Sequence, residues 1–350
     1  MNELYSRSLK KELQVREIKI NYSSTLEELG KLNFKKFFGI FVVGLKVLFA
    51  LIFFRPDVVC FEIAPMGTAF LRDSLYVWLC KIFRSKITFI FQAKGIKEST
   101  KNSVKQWYYV QVFRGTKSVI LSQSLYEDIE GVVSIKDVFV VPNAVEDELT
   151  ENEFGGLLEK RKRNDKPVLL FLSNMIESKG PLDTLEICNM LQKDKKDFKC
   201  FFVGNWKEEV TKKSFYEFIE KNNLSGQCQY LGPKYDEEKK EVLATSNFLI
   251  FPTKYEHERF PLVILEALMF GIPVVSYDNG AVKEVIDQEY LGYVSKTRTP
   301  AECFQWLREK IFEEQDHKKI REEFKKKYLL SHSADKLKSI VEKLSTDRVN

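Results

Sequence analysis

The chain has 350 residues, of which 44% are apolar and 30% are charged, and its formal net charge is +5. This apolar content excludes a disordered chain, and the length is sufficient for two domains. Residues 1–147 carry 21 Lys and Arg against 15 Asp and Glu, a balance of +6 without a dense basic cluster, so nucleic acid is not an expected partner.

The cysteines and the N-terminal segment bear on the cellular compartment. Six cysteines are spread along the chain without a C-x-x-C pair, and several lie within apolar runs. They predict reduced core residues rather than disulfides or a zinc site. The first thirty residues are polar and charged, unlike a secretory signal. A cytoplasmic protein is therefore expected.

Residues 1–147 predict an α/β domain. Extended apolar runs separated by helical segments occur at Val15–Tyr22, Asp57–Ile63, Ile87–Gln92, Ser118–Gln123 and Val138–Pro142. Alternation of such runs with helices is typical of a parallel sheet with helical crossovers.

The most apolar run, Gly39–Phe54, is preceded by Lys31, Lys35 and Lys36. With sixteen residues and Lys46 inside, it is shorter than the roughly 20 apolar residues of a typical transmembrane helix. Two interpretations stay open. The run is either a core helix of the first domain, or residues 31–54 form a surface helix that docks peripherally on the inner leaflet of a membrane.

The polar stretch 148–166 predicts a linker, and residues 167–330 predict a second α/β domain. Its predicted strands are Val168–Leu172, Cys200–Gly204, Gln229–Leu231, Asn247–Pro252 and Val274–Tyr277. The final segment, 331–350, contains an amphipathic helical pattern.

Two glutamates, Glu258 and Glu266, lie eight residues apart across a predicted loop-to-helix boundary. Glu266 projects from a mainly apolar helix stripe, where an unpaired charge would cost several kcal/mol. Either an Arg or Lys from elsewhere pairs with it or the carboxylate reaches solvent, or the hydroxyl groups of a ligand donate to it. The unpaired N–H groups at the helix start would suit a phosphate.

These residues resemble retaining glycosyltransferase family 4. The pattern E-x7-E followed by A-L-M-x-G-x-P-V-V matches its signature, and two more motifs agree, Ser173–Gly180 (SNMIESKG) and Val141–Val145 (VPNAV). The resemblance spans roughly residues 15 to 345. It implies the GT-B fold, in which two Rossmann-like α/β domains face each other across a cleft and the last helix crosses back to the first domain.

The resemblance also implies roles for particular residues. Lys179 is expected to contact the donor pyrophosphate, Glu266 the nucleotide ribose hydroxyls, and Glu258 the transferred sugar. Backbone N–H groups of Phe260–Leu262 are expected to hold phosphate or sugar oxygens. The full set of expected donor-side residues is Lys179, Glu258, Glu266, Asn174, Arg259, Phe260, Pro261 and Leu262, with Glu258 and Lys179 as the catalytic pair.

The implied reaction transfers a sugar from a nucleotide-sugar donor, UDP- or GDP-linked, with retention at the anomeric carbon. The acceptor is a saccharide, lipid-linked, in surface polysaccharide synthesis such as lipopolysaccharide or capsule. No cofactor and no obligatory metal are implied. On the acceptor side, Gln92, Lys94 and Gly95 occupy a segment where relatives often carry a histidine; all three histidines of this chain lie after residue 256.

Three departures from the family pattern leave alternatives open. The run Val15–Tyr22 looks like a second strand, so the first domain lacks its first strand or another segment replaces it. Asn174 stands where many members have Arg. Arg259 stands where Gly is common, and the guanidinium of Arg259 either supplies charge or blocks the sugar pocket. A catalytically inactive or truncated GT-B partner subunit is the main alternative to a transferase, and a nucleotide-sugar epimerase of similar fold is the other.

Overall fold

The computed structural model describes residues 9–10, 12–20 and 34–346, with side chains of the last range described from residue 38. They form two compact units. The first contains the residues up to Pro142 together with those from Ser331, and the second contains Asn143–Leu330. Within these described ranges, no helix combines the length and hydropathy that crossing a bilayer requires.

The first unit alternates helices with strands. Its elements are α1 (Phe34–Phe49, extended by a π-helical segment Ala50–Phe54), β1 (Val58–Glu62), α2 (Gly67–Ile82), β2 (Lys86–Ile90), α3 (Ile96–Ser99), α4 (Ser103–Phe113), β3 (Lys117–Ile120) and β4 (Val138–Val140). All strand pairs are parallel, in the order β1-β2-β3-β4. Four of the predicted strands are thus confirmed, with ends shifted by up to three residues.

The predicted strand Val15–Tyr22 is wrong where it can be compared. Residues 15–20 are in no strand, and residues 21–22 lie outside the described ranges. The alternating pattern has another cause: Ile18 and Ile20 pack against the core of the first unit, which needs extended backbone but no ladder of hydrogen bonds.

Helix α1 combines features of both interpretations offered for the apolar run. Residues 31–33, which the surface-helix interpretation includes, lie outside the described ranges. Val43 and Leu51 are buried in the core of the first unit. On the opposite side, Phe38, Phe41 and Phe53 are 66%, 62% and 72% exposed. The helix therefore belongs to the core and also presents an apolar outer surface.

The second unit is larger and also α/β. Its elements are α5 (Glu151–Lys162), β5 (Val168–Leu172), α6 (Pro181–Lys193), β6 (Lys199–Val203), α7 (Glu209–Lys221), β7 (Cys228–Gly232), α8 (Asp236–Thr245), β8 (Phe248–Phe251), α9 (Leu262–Met269), β9 (Val274–Tyr277), α10 (Val282–Val285), β10 (Gly292–Ser295), α11 (Pro300–Lys310) and α12 (His317–Tyr328). The five predicted strands are confirmed, and β10 is a sixth that was not predicted.

The second sheet has the order β10-β9-β8-β5-β6-β7, with every pair parallel. From β5 the chain adds strands in one direction to β7 and then returns to place β8 on the other side of β5. The strand order thus reverses between β5 and β8. In open parallel sheets, ligands bind outside the carboxyl ends of the strands at such a switch point.

The chain passes from the first unit to the second between Pro142 and Asn143 and returns between Leu330 and Ser331. Residues 148–166 therefore belong to the second unit. The stretch 148–166, predicted as a linker, contains helix α5, and its Arg161 is buried and donates to the carbonyls of Leu243 and Ala244 at the end of α8, at 3.1 and 3.0 Å. The final helix, α13 (Leu330–Thr346), joins the first unit from Ser331 onward, where its apolar side packs in a cluster with Ile90 and Val119.

Candidate functional site

An ion pair lies at the switch point of the second sheet. The Nζ of Lys179, in the loop after β5, is 2.5 Å from Oε2 of Glu258, in the loop after β8. The side chains are only 15% and 10% exposed. The Lys179 ammonium also lies over the ring of Tyr255, 4.5 Å from its centroid. The family resemblance predicts Lys179 and Glu258 as a catalytic pair, and the fold of the second unit brings their side chains together.

The loop that carries Glu258 is fixed by hydrogen bonds to the Glu258 carboxylate and to the loop backbone. The hydroxyl of Thr253 donates to Glu258 at 3.4 Å, and the amide of Asn279 donates to the carbonyl of Tyr255 at 2.9 Å. Gly280 has a φ of 60°, and a Cβ there would be 2.7 Å from the carbonyl oxygens of Glu258 and Arg259. The turn after β9 therefore packs directly on the Glu258 backbone and needs glycine to do so.

The loop that carries Lys179 is held just as closely. Gly180, which follows it, has a φ of 86°, and a Cβ there would be 2.4 Å from the carbonyl oxygen of Pro252. The N–H of Lys254 donates to the carbonyl of Ser178 at 2.7 Å. The backbone on both sides of Lys179 thus contacts the end of β8, which limits the positions its ammonium can take.

A mostly buried carboxylate, that of Asp183, reinforces this arrangement. Asp183, in the first turn of α6, accepts from the Lys254 ammonium at 2.6 Å and from the Tyr277 hydroxyl at 2.8 Å. Burial and the Asp183 charge raise the pKa of Tyr277, so the phenol stays protonated and donates. Helix α6 is thereby tied to the ends of β8 and β9.

Glu266 lies on α9 and has a partner within the second unit. Its Oε1 accepts from Nζ of Lys239, on α8, at 3.1 Å. Both side chains are partly exposed. Of the two interpretations offered for Glu266, pairing with a lysine from elsewhere is therefore observed. The pair leaves the carboxylate accessible, because it lies at the surface rather than in the core.

The start of α9 is open in the described part of the chain, where no side chain caps it. The N–H of Ile264 donates to the carbonyl of Pro261 at 3.2 Å. The N–H groups of Leu262 and Val263 and the positive end of the helix dipole are available to an anion. The expectation that all of Phe260–Leu262 donate N–H groups is wrong for one residue, since Pro261 has no N–H and precedes the helix as its N-cap. The side chains of Phe260 and Pro261 are buried, Arg259 is half-buried, and Asn174 and Leu262 are exposed.

The acceptor-side residues lie in the first unit. Gln92 and Lys94, in the loop after β2, are half-buried. The N–H of Gly95 donates to the Asp128 carboxylate at 3.0 Å. Gly95 has a φ of 132°, and a Cβ there would be 1.9 Å from Cε of Met66. This loop is therefore tightly packed and keeps its amide nitrogen occupied by a protein carboxylate.

Sequence reasoning missed Lys239, Thr253, Tyr255 and Asn279. Lys239 contacts Glu266, and Tyr255 contacts Lys179, from positions that are distant in sequence. Thr253 hydrogen-bonds Glu258 within one loop, and Asn279 binds the carbonyl of Tyr255 from the turn after β9. Among the described residues, no three His, Cys, Asp or Glu side chains are arranged to hold a metal ion.

Comparison with known proteins gives information on the fold and the superfamily of the chain. Residues 158–328 match the family model of glycosyl transferases group 1. An uncharacterized glycosyltransferase of Methanocaldococcus jannaschii is 26% identical over 253 residues, which cover 70% of this chain and 65% of that protein. The amylovoran biosynthesis glycosyltransferase AmsK of Erwinia amylovora is 24% identical over 131 residues, covering 36% and 31%. The chain thus spans less than two thirds of either relative.

Solved structures show the same fold. A glycosyltransferase from Rickettsia africae superimposes with a TM-score of 0.71 and 18% identity, covering 98% of this chain and 88% of that one. HepE of Anabaena, solved in complex with UDP, gives 0.69 and 14%, covering 86% and 82%.

Two α/β units with parallel sheets, matched to these structures, define the class: the chain has the GT-B fold of glycosyltransferases. The family-model match over residues 158–328 and the sequence similarity to the Methanocaldococcus jannaschii glycosyltransferase support its placement in the group 1 glycosyltransferase superfamily.

Proposed function

We propose that the chain is a retaining glycosyltransferase of family 4, which transfers a sugar from a nucleotide-sugar donor to a saccharide acceptor. The observation that carries the proposal is the nearly buried Lys179–Glu258 pair at the switch point, in the same loop region as the open start of α9. An ammonium group and a helix start suit a diphosphate, and a buried carboxylate suits sugar hydroxyls. Together they match the two halves of a nucleotide-sugar.

The proposed chemistry uses these groups at defined positions. The acceptor oxygen bonds to the anomeric carbon while the bond from that carbon to the diphosphate oxygen breaks, and the proton of the acceptor hydroxyl passes to the departing diphosphate. Negative charge grows on the departing diphosphate, where Lys179 and the N–H groups at the start of α9 stabilise it. Glu258 accepts from hydroxyls of the transferred sugar, and Glu266 accepts from the ribose hydroxyls in place of Lys239.

Similar proteins support the substrate classes. HepE was solved with UDP, which supports a UDP-linked donor over a GDP-linked one, and AmsK is named for amylovoran biosynthesis, which supports a growing surface polysaccharide as acceptor. Gln92 and Lys94 are proposed to contact this acceptor. For a lipid-linked acceptor, the outer side of α1 would hold the enzyme against the cytoplasmic face of a membrane, and the six free thiols support a reducing compartment.

A second candidate is a GT-B partner subunit that binds a nucleotide-sugar without transferring the sugar. The loop after β2 favours it, because Gln92 and Lys94 stand there and no histidine occurs before residue 257. Gln92 can hydrogen-bond a hydroxyl but cannot transfer a proton.

Thermal unfolding with UDP, GDP, ADP and their sugar conjugates tests the proposal, with Glu266→Gln as the binding variant and Glu217→Gln, on the exposed side of α7, as the control. A ligand at about 100 times its Kd stabilises by about 2.7 kcal/mol, which raises the midpoint by a few degrees. We expect a shift with one nucleotide that Glu266→Gln abolishes and Glu217→Gln retains.

Turnover separates the two candidates. Release of the nucleotide in the presence of a saccharide acceptor, with an α-linked product from an α-linked donor by NMR, supports the transferase. Binding without release supports the partner subunit. A cooperatively folded chain whose midpoint no nucleotide changes would contradict both.

A further inference from the structure

Two neighbouring helices of the first unit expose apolar side chains in stripes. On α1 and its π-helical extension the exposed residues recur every three or four positions, and α2 repeats this pattern. They are Phe38, Phe41, Leu45, Phe49, Ile52 and Phe53 on the first helix, and Leu71, Leu75 and Ile82 on the second, with Phe83 just after it. Exposed apolar side chains that are grouped on neighbouring helices mark an interaction site, whereas apolar side chains scattered singly are ordinary surface.

The two stripes face the same side. The helices touch where the Tyr76 hydroxyl donates to the carbonyl of Ile40 at 2.9 Å and the Tyr76 ring lies beside Gly44. The two helices run in the same direction, because α1 leads into β1 and α2 into β2, and these strands are parallel. The C-terminal ends of both helices also line the same cavity. Successive residues of a helix are rotated by about 100° around its axis. Counted from the contact positions on each helix, the exposed residues of α1 and those of α2 lie on the same side of the helix pair.

A basic cavity of about 500 Å³ lies where the two helices end. Arg55, Arg84 and Lys86 line it, opposed by the single carboxylate of Asp57, and Ile52 from the apolar stripe forms part of its wall. The surrounding sequence is equally biased: residues 31–86 carry nine Lys and Arg against three Asp and Glu, which accounts for the whole +6 balance of residues 1–147. Apolar surface and positive charge therefore coincide.

Both arginines occupy backbone positions that favour glycine. Arg55 and Arg84 have φ values of 50° and 55°. Each follows the end of its helix and donates its N–H back to a carbonyl of the last turn, Ala50 and Lys81 respectively, at 3.0 and 2.9 Å. Glycine is the usual residue at such a left-handed helix end because a Cβ is unfavourable there. Ending the two helices would not require arginine at either position, so the presence of Arg55 and Arg84 beside one cavity calls for another reason.

The geometry points to a bilayer-docking face on the first unit, formed by the exposed stripes of α1 and α2, with Arg55, Arg84 and Lys86 forming a site for the phosphate of an anionic lipid headgroup. The apolar side chains enter the interface between headgroups and acyl chains, and the cavity selects negatively charged lipid. This deepens the proposed membrane attachment and does not depend on donor binding, because every residue involved lies in the first unit.

Co-sedimentation of the full chain with phosphatidylcholine vesicles, with and without phosphatidylglycerol, tests this face. We expect binding that strengthens with phosphatidylglycerol. Arg55→Gly and Arg84→Gly should each weaken binding to the anionic vesicles about fivefold while keeping or raising the unfolding midpoint, because glycine fits the left-handed backbone better. Lys195→Gly, which removes another left-handed cation (φ 56°) from the second unit, is the matched control and should keep the vesicle binding of the unmodified chain.

Phe41→Gln with Phe53→Gln tests the apolar part and should reduce binding to both vesicle types by about tenfold or more. Equal binding by the arginine variants and the unmodified chain would overturn the headgroup site. Absence of vesicle binding, or a dimer by sedimentation analysis that the phenylalanine variant dissociates, would overturn the membrane face in favour of a protein interface. The nucleotide-induced midpoint shift, measured in parallel, reports separately on the transferase proposal.

Discussion

Substitution of Lys179 tests whether the ion pair of Lys179 and Glu258 is buried and energetically coupled, as the structure shows. Lys179→Met removes the ammonium and keeps an unbranched stem beside Tyr255. Glu258 is then left with the hydroxyl of Thr253 at 3.4 Å as its remaining side-chain donor among the contacts described above. Breaking a fully buried pair costs about 3–5 kcal/mol, and the 10–15% exposure of these side chains reduces this to about 2–3 kcal/mol.

The coupling between the two charges is measured with a double-mutant cycle. Lys179→Met, Glu258→Gln and the double variant are unfolded in urea, and hydrogen exchange confirms that the transition belongs to the second unit. Because the double variant leaves no unpaired charge, it should be more stable than the sum of the single effects predicts, by about 2 kcal/mol.

An exposed pair from the same unit provides the control. Lys213 and Glu217, on α7, are 3.7 Å apart and largely exposed, so their coupling should not exceed about 0.5 kcal/mol. A buried ion pair would be refuted if the effects of the Lys179 and Glu258 substitutions on the free energy of unfolding were additive, with a coupling as small as that of the control pair. The pair, which is the main observation behind the proposed function, would then not exist in solution.

Two further changes test the second unit. Burial and the nearby Arg161 charge lower the pKa of His317 below its usual 6.5, so the unfolded chain binds more protons there; the stability of this unit should be complete above about pH 6.5 and decrease on acidification, and urea midpoints should depend less on pH in His317→Gln. An unchanged dependence would show that other groups cause it. Gly280→Ala should destabilise by about 2–3 kcal/mol and abolish the nucleotide-induced midpoint shift, because its Cβ would displace the backbone of Glu258. Gly232→Ala, with a φ of 78° and no atom within 4 Å of the Cβ, isolates the backbone strain and should cost less; equal costs would contradict the steric argument.

The second sheet was predictable because its central strands are short, fully buried apolar runs. Val168–Leu172 and Val274–Tyr277 are observed with the predicted ends, and every residue of both is buried. A strand covered on both faces reads as a continuous apolar run bounded by polar or turn residues. The edge strand β10 was missed, since Gly292–Ser295 begins with glycine and its two apolar residues, Tyr293 and Val294, are flanked by Gly and Ser and only partly buried.

Other features depend on contacts that sequence patterns do not carry. Lys239 meets Glu266 from a different helix, 27 residues earlier, and no local periodicity links them. The run Gly39–Phe54 is apolar on all sides, so its pattern gave no indication of which residues would be buried. The neighbouring helix α2 decides this, because it covers one side of α1 and leaves the other exposed.

The observed pairs also bear on Arg259, whose role the sequence left open. Lys179 balances Glu258 and Lys239 balances Glu266, so these four side chains contribute no net charge. A nucleoside diphosphate brings negative charge into this region, and binding it requires positive charge beyond the two lysines. The start of α9 supplies part of that charge, and Arg259 lies three residues before its first residue, Leu262. On the proposed function, charge balance therefore favours Arg259 as a donor-binding cation over Arg259 as a block to the sugar pocket.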